Sequence, residues 1–302
     1  MKILITGGTG FVGKKLTSRL IQDRNDVTIL TRSLKGSEKV SPGVSYLQGD
    51  PTQKGPWQDV IKKQDIIINL AGASIFSKWT DEQKKLIRES RITTTRNIVE
   101  GIAPHPERKI TLFSTSAVGY YGLHGDEELN EDSPQGNDFL ARIAGEWEEE
   151  ALKAKGKGAR VVITRFGIVL GEKGGALSQM IPLFKKYMGG PIGKGQQWFS
   201  WIHLKDLVEA FVFLMQHPEI SGPVNFCSPN PVKNKDLAKA LGKALHRPSF
   251  FPAPGFMVKW VLGEFGSVIL EGQKVIPRLL LHQGFAFQYP DIDNALQDVV
   301  GH

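Results

Sequence analysis

The stretch "KILITGGTGFVG", residues 2–13, decides the fold. A short run of isoleucine and leucine passes straight into a glycine-rich turn. The turn opens onto "KKLTSRLIQDR" (14–24), where Leu16, Leu20 and Ile21 recur at helical spacing. A strand that runs through such a turn into a helix makes a cradle for phosphates. Gly8, Gly10 and Gly13 satisfy G-x-G-x-x-G, and Gly7 makes G-x-x-G-x-x-G available as well. One glycine permits the tight turn, another lets backbone approach a pyrophosphate, and Gly13 lets helix and sheet pack closely. The free N–H groups of the first helical turn then face the anion. The dinucleotide contacts predicted in this loop are Gly7, Thr9, Gly10, Phe11, Val12 and Gly13.

Downstream the same alternation repeats. "DVTIL" (26–30), "VSYLQG" (44–49), "DIIINLAG" (65–72), "KITLFSTS" (109–116) and "ARVVITRFGIVLG" (159–171) read as strands. The fourth strand of the series, "DIIINLAG", is the most apolar, as expected of one covered on both faces. "DEQKKLIRESRITTTRNIVEGIA" (81–103) and "NDFLARIAGEWEEEALKA" (137–154) carry helical spacing. Six strands with helical crossovers predict an α/β doubly wound parallel sheet. Beyond residue 171 glycine, proline and aromatics rise, as in "GGPIGKGQQWFSWIHLKDL" (189–207) and "FFPAPGFMVKW" (250–260), with a return to the sheet around "GPVNFCS" (222–228). The expected division is residues 1–170 with 200–228 for the dinucleotide-binding domain, and 171–199 with 229–302 for a smaller, interleaved lobe on the substrate side.

Composition narrows the function classes. With 302 residues, 40% of them apolar, the chain is long enough for one large core or two modest ones. The single cysteine, Cys227, has no intramolecular disulfide partner and reads as a small buried apolar group, and the seven histidines lack ligand spacing, so no metal is expected. The net charge of +7 is spread along the chain without a basic-aromatic cluster, which argues against nucleic acid. No run approaches the roughly 18 apolar residues of a membrane span. "MKILITGG" is too short and too soon broken for a secretory signal. A cytoplasmic protein with a small-molecule substrate, and neither nucleic acid nor membrane as partner, is the expectation.

Topology places further contacts, because ligands of such sheets lie beyond the carboxyl ends of the strands. About 20 residues past the glycine motif an acid would hold a ribose hydroxyl. That place holds Thr31, Arg32 and Ser33, and the planar fork of Arg32 suits a 2′-phosphate, which favours NADP(H); the alternative for Arg32 is a solvated loop charge. Asp50 suits the adenine amino group or serves as an ordinary turn acid. Leu70, Ala71 and Gly72 follow the fourth strand, and Ser114 and Thr115 the fifth.

"GGTGFVG", Gly49–Asp50, "NLAG" (69–72), "STSAVGYYG" (114–122), "TRFGIVLG" (164–171) and "WIHLKDL" (201–207) occur in an order that resembles the short-chain dehydrogenase/reductase superfamily, in its extended epimerase/dehydratase branch. The C-terminal "LGE" (262–264) and "EGQKVIPRLLLHQGFAFQYPDIDNAL" (271–296) are similar, more narrowly, to the atypical members called epimerase-family proteins, akin to a nucleoside-diphosphate-sugar epimerase. The resemblance implies a Rossmann fold and an oxidoreductase or epimerase-like activity on a carbonyl or nucleotide-sugar-like substrate. It also implies that Ser116 positions a substrate oxygen and that Tyr121 belongs to a pocket-lining "VYG" turn, from which it, or its neighbour Tyr120, would donate a proton or simply pack. Arg91 would meet a phosphate or form a surface ion pair, and Ile168 and Val169 would contact the nicotinamide. Trp198, Phe199, Trp201 and His203 would wall the substrate pocket, with a structural role as the alternative for His203. The departure lies in the helix that should carry Tyr-x-x-x-Lys: Leu140 and Ala144 hold those places, and another register offers only Asp138 with Arg142. Neither leucine nor alanine transfers a proton. A non-catalytic NADP(H)-responsive binding or regulatory protein is therefore the competing expectation.

Overall fold

The computed structural model describes residues 1–34, 43–104, 109–172 and 174–301. Its strands are β1 (Lys2–Thr6), β2 (Asp26–Thr31), β3 (Val44–Gln48), β4 (Ile66–Asn69), β5 (Thr111–Ala117), β6 (Glu128–Leu129), β7 (Arg160–Phe166), β8 (Ile168–Leu170), β9 (Trp198–Phe199), β10 (Trp201–His203), β11 (Gly222–Phe226), β12 (Val232–Lys233) and β13 (Lys274–Val275). The helices are α1 (Phe11–Gln22), α2 (Gln58–Ile61), α3 (Asp81–Gly101), α4 (Phe139–Leu152), α5 (Leu177–Lys185), α6 (Leu204–Gln216), α7 (Asn234–Leu245), α8 (Gly255–Leu262), α9 (Glu264–Ile269), α10 (Arg278–His282) and α11 (Ile292–Val300).

Seven parallel strands form the main sheet in the order β11-β7-β5-β4-β1-β2-β3, so the chain reverses its direction of travel between β1 and β4. This is the doubly wound Rossmann arrangement. Alternation within each strand serves two cores. Ile3, Ile5 and Ile29 face Leu16 and Leu20 of α1 and Leu207 and Phe211 of α6, while Leu4, Ile67, Leu112 and Val161 face Trp57, Ile98 and Val99 on the opposite side. A third cluster gathers α5, α7 and α11 around Leu170 and Trp201. Burial of each large side chain is worth about 1.5–3 kcal/mol. The two long helices begin on side-chain caps, Thr80 accepting from Gln83 N and Asp138 from Ala141 N.

One expectation changes in detail. The run "ARVVITRFGIVLG" is not one strand: it breaks at Gly167, whose N–H turns to Phe226 O. A Cβ there would lie 2.9 Å from Ser200 O, so only glycine lets the chain pass, and β8 leaves the sheet to pair with β10. The crossover from β3 to β4 carries the single turn of α2.

Candidate functional site

The carboxyl ends of the central strands stand level. Thr6 of β1 pairs with Asn69 of β4, which pairs with Ser114 of β5. A buried chain of hydrogen bonds locks this edge: Thr6 Oγ1 donates to Asn69 Oδ1 (2.7 Å), Asn69 Nδ2 to Thr95 Oγ1 (2.9 Å), and Trp147 Nε1 to the same hydroxyl (2.8 Å). Immediately above it runs the glycine turn. Gly7 has φ +71°, and a Cβ on it would come within 2.8 Å of the Leu70 carbonyl. Gly10 N donates to Gly7 O (3.0 Å) and begins α1. A Cβ on Gly13 would strike Gly8 Cα at 2.6 Å, so α1 rests directly on the turn. Thr9 and Gly10 are exposed, and Phe11 and Val12 are half-buried beside them, with Gly171 and Gly174 packed over the Phe11 ring.

The remaining cofactor candidates surround this cradle. Leu70 and Ala71 abut Gly7, and a Cβ on Gly72 would stand 3.3 Å from the Arg91 guanidinium carbon. Arg91 donates to Ile87 O (2.9 Å) and Ala73 O (3.1 Å) and sits 5.3 Å from the Trp147 ring centre. No carboxylate pairs with it among the described residues, so burial alone acts on the charge and pulls its pKa down to about 10. The surface ion pair weighed for Arg91 is absent among those residues. The hydroxyls of Ser114 and Thr115 are buried without a hydrogen-bond partner. Arg32 is exposed at the end of β2 and enters no ion pair among the described residues; its carbonyl accepts from Gln48 Nε2 at 3.5 Å. Asp50 spends one oxygen on its own turn, Oδ1 accepting from Thr52 N (2.9 Å) and Thr52 Oγ1 (2.7 Å). Ile168 and Val169 lie half-buried in β8, Ile168 N donating to Ser200 O (2.8 Å).

Ser116 and Tyr121 belong to one buried hydrogen-bond network. The Ser116 hydroxyl donates to Glu148 Oε1 (2.7 Å). Glu148 forms a two-pronged ion pair with Arg165, Nε to Oε1 and Nη2 to Oε2, both 2.8 Å. Arg165 Nη1 donates to the Tyr121 hydroxyl (2.9 Å), which donates to Asn225 Oδ1 (2.7 Å). Ser116 and Tyr121 are buried to 1% and 0% exposure, and burial, which outweighs the nearby Arg165, pushes the phenol well above its ordinary range. Both hydroxyls are committed to a scaffold. Leu140 and Ala144 contribute no titratable group, and in the alternative register Asp138 caps α4 while Arg142 donates to Asn137 O (2.8 Å). Sequence reading missed the Arg165–Glu148 pair; its signal is a lone arginine inside the apolar strand "VVITRF".

The proposed substrate wall divides. Trp201 and His203 are buried, the latter capping α6 through Nδ1, which accepts from Lys205 N (3.2 Å), and Phe199 is half-buried in β9. Trp198 instead borders an open cleft of about 600 Å³ with His124, Asp126, Gln196, Lys233 and Glu271. Its indole N–H donates to Asp126 Oδ1 (2.7 Å). Cys227 is fully buried, as expected. Among the described residues no group of His, Cys, Asp or Glu could hold a metal ion, and no helix is long and apolar enough to cross a membrane.

A glycine cradle at a helix N-terminus, two orphaned hydroxyls and a half-buried cation without a carboxylate among the described residues fit a phosphate-bearing dinucleotide. Comparison with known proteins agrees with this geometry. Residues 3–226 match the model of the NAD dependent epimerase/dehydratase family, and residues 253–299 match a domain of unknown function, DUF1731. The chain is 41% identical over 302 residues to the chloroplastic epimerase family protein SDR39U1 homolog of Arabidopsis thaliana, covering 99% of this chain and 87% of that one. It is 39% identical to epimerase family protein YfhF of Bacillus subtilis, covering 99% and 98%. The crystal structure of human epimerase family protein SDR39U1 (isoform 2) with NADPH superposes with a TM-score of 0.87 at 32% identity, covering both chains fully. With its glycine turn, sheet order and relatives in agreement along nearly its whole length, the chain belongs to the NAD dependent epimerase/dehydratase family.

Proposed function

We propose that this protein binds NADP(H) along the carboxyl edge of β1, β2, β4 and β5, and that it is an oxidoreductase or epimerase-like enzyme with a small carbonyl or nucleotide-sugar-like substrate, working in the cytoplasm. The observation that carries the reading is the half-buried Arg91 guanidinium beside Gly72, with no carboxylate paired to it among the described residues, together with the glycine turn at the N-terminus of α1. The NADPH held by human SDR39U1 supports the choice of cofactor.

In this reading Gly7, Thr9, Gly10, Phe11, Val12 and Gly13 receive the pyrophosphate against the N-terminus of α1. Arg32, with Thr31 beside it, meets the 2′-phosphate, and the free oxygen of Asp50 accepts from the adenine amino group. Arg91, lying beside Leu70, Ala71 and Gly72, neutralises phosphate charge. Ser114 and Thr115 offer their unpartnered hydroxyls at the centre of the edge, and Ile168 and Val169 bound the nicotinamide end. A bound nicotinamide supplies a hydride donor or acceptor. Ser116 and Tyr121 act here as positioning residues, because their hydroxyls fix the end of β5 to α4, β7 and β11.

Calorimetry of the wild type and Arg32→Ala with NADPH and NADH tests the reading. A charge-assisted contact of about 1.5–3 kcal/mol predicts roughly a 10- to 100-fold loss of NADPH affinity in the variant, with NADH unchanged. No heat with either cofactor refutes it.

The second reading, a non-catalytic NADP(H)-responsive protein, is favoured by Leu140 and Ala144 and by the commitment of Ser116 and Tyr121 to the Glu148–Arg165 pair. Tight NADPH binding with no turnover across carbonyl compounds and sugar nucleotides would select it. Turnover abolished in Ser116→Ala or Tyr121→Phe, with cofactor affinity kept, would instead return those hydroxyls to the reaction.

A further inference from the structure

We propose that the face built from α8, the 183–194 turn and residues 246–253 docks on an anionic lipid surface. α8, "GFMVKWVL", buries none of its residues. Trp260 is 82% exposed, Phe256 75% and Phe250 70%, and Tyr187, Met188 and Phe251 are exposed with them. The segments that carry them are joined by backbone hydrogen bonds. Phe251 N donates to Gly189 O (3.2 Å), Gly193 N to Ala253 O (2.8 Å) and Ala253 N to Pro191 O (2.9 Å), which tie the turn to the segment entering α8. The Phe250 and Phe251 rings lie 4.6 Å apart, and Arg247 spans the Tyr187 ring at 4.9 Å. Exposed aromatic side chains gathered on neighbouring segments mark a candidate interaction site.

Charge selects the occupant. Residues 177–198 and 246–263 carry Lys185, Lys186, Lys194, Arg247 and Lys259 and not one carboxylate. The four lysines are exposed and enter no ion pair among the described residues. Exposed tryptophan and phenylalanine surrounded by unpaired lysines match the interface of a bilayer whose headgroups are negative: the rings sink to the headgroup level and the ammoniums remain among the phosphates. A protein partner would need a face both apolar and acidic.

Cosedimentation with vesicles of phosphatidylcholine alone, and of phosphatidylcholine with phosphatidylglycerol, tests this. Binding is expected only to the phosphatidylglycerol vesicles and should weaken with added salt. It should fall at least tenfold in Lys185→Glu/Lys186→Glu and in Phe256→Ser/Trp260→Ser. Tryptophan emission should shift to the blue on binding in the wild type and not in the Trp260 variant, since the other five tryptophans are buried or half-buried. Circular dichroism and NADPH affinity unchanged from the wild type would certify that both variants fold. Absence of vesicle binding, or equal binding to neutral vesicles, overturns the proposal. Self-association that both variants abolish, in protein that ignores vesicles, overturns it in favour of contact between copies.

Discussion

Replacing Glu148 by leucine removes the only carboxylate in contact with Arg165 among the described residues, and the Arg165 side chain is 3% exposed. Both charge-assisted bonds from Arg165 are lost, and the Ser116 hydroxyl loses its acceptor. Leaving a buried charge uncompensated costs about 3–5 kcal/mol, against a total stability of about 5–15 kcal/mol for an ordinary protein. The midpoint of thermal unfolding should therefore fall by about 10 °C. The double variant Glu148→Leu/Arg165→Leu removes the stranded charge and should regain about half of the loss, the remainder being the unpaired hydroxyls of Ser116 and Tyr121. Urea unfolding followed by tryptophan fluorescence reads both values, and NADPH calorimetry on the folded variants reads whether the cradle survives. If Glu148→Leu costs less than about 1 kcal/mol, or the double variant is less stable than the single, the scaffold account of Ser116 and Tyr121 fails.

Gly7→Ala forces φ +71° on a residue with a Cβ and drives that atom against the Leu70 carbonyl; a loss of about 2 kcal/mol or more is expected, with cofactor affinity falling alongside it in calorimetry. Arg91→Met should act in opposite directions on two measurements: urea stability of the cofactor-free protein holds or rises, because a half-buried cation with no carboxylate partner among the described residues is removed, while NADPH binds at least tenfold more weakly. His203 is buried and its pKa is pushed down from 6.5 to about 4 by burial and by the neighbouring lysines, against the pull of Asp298. The unfolded chain therefore takes up this proton first: the histidine has no effect above about pH 7, and stability drains away as pH falls from about 6.5 to about 4, by about 3 kcal/mol in all. Urea titrations across that window should be flatter in His203→Gln, and identical slopes would exclude the histidine as their source.

Much of this architecture is legible in the sequence because the signals are local. "KILITGGTGFVG" states strand, turn and helix within a dozen residues, and period-2 alternation with 3.6-residue spacing marks most of the later strands and helices. The orientation of Ser116 is not legible, since it depends on a carboxylate 32 residues away, and that of Tyr121 depends on Asn225, 104 residues away. No spacing rule connects such pairs. Arg91 has two readings on sequence grounds, and its contacts with the backbone carbonyls of Ile87 and Ala73 are not legible from spacing. The break at Gly167 is likewise set by a crossing segment, Ser200, that enters from far along the chain.

Two buried carboxylates give the C-terminal region its anchorage. Asp206 accepts from the N–H groups of Gln288 (2.8 Å) and Tyr289 (2.9 Å), and Glu131 from those of Asn225 (3.0 Å) and Leu279 (3.3 Å). The stretch that a separate family model marks off, 253–299, thus borrows its acceptors and much of its apolar contact from elements that precede it. Marked off in sequence, it is a keystone by construction. Parted from those partners it would lose its acceptors and its apolar contacts at once, so it should unfold with the rest of the chain in a single transition.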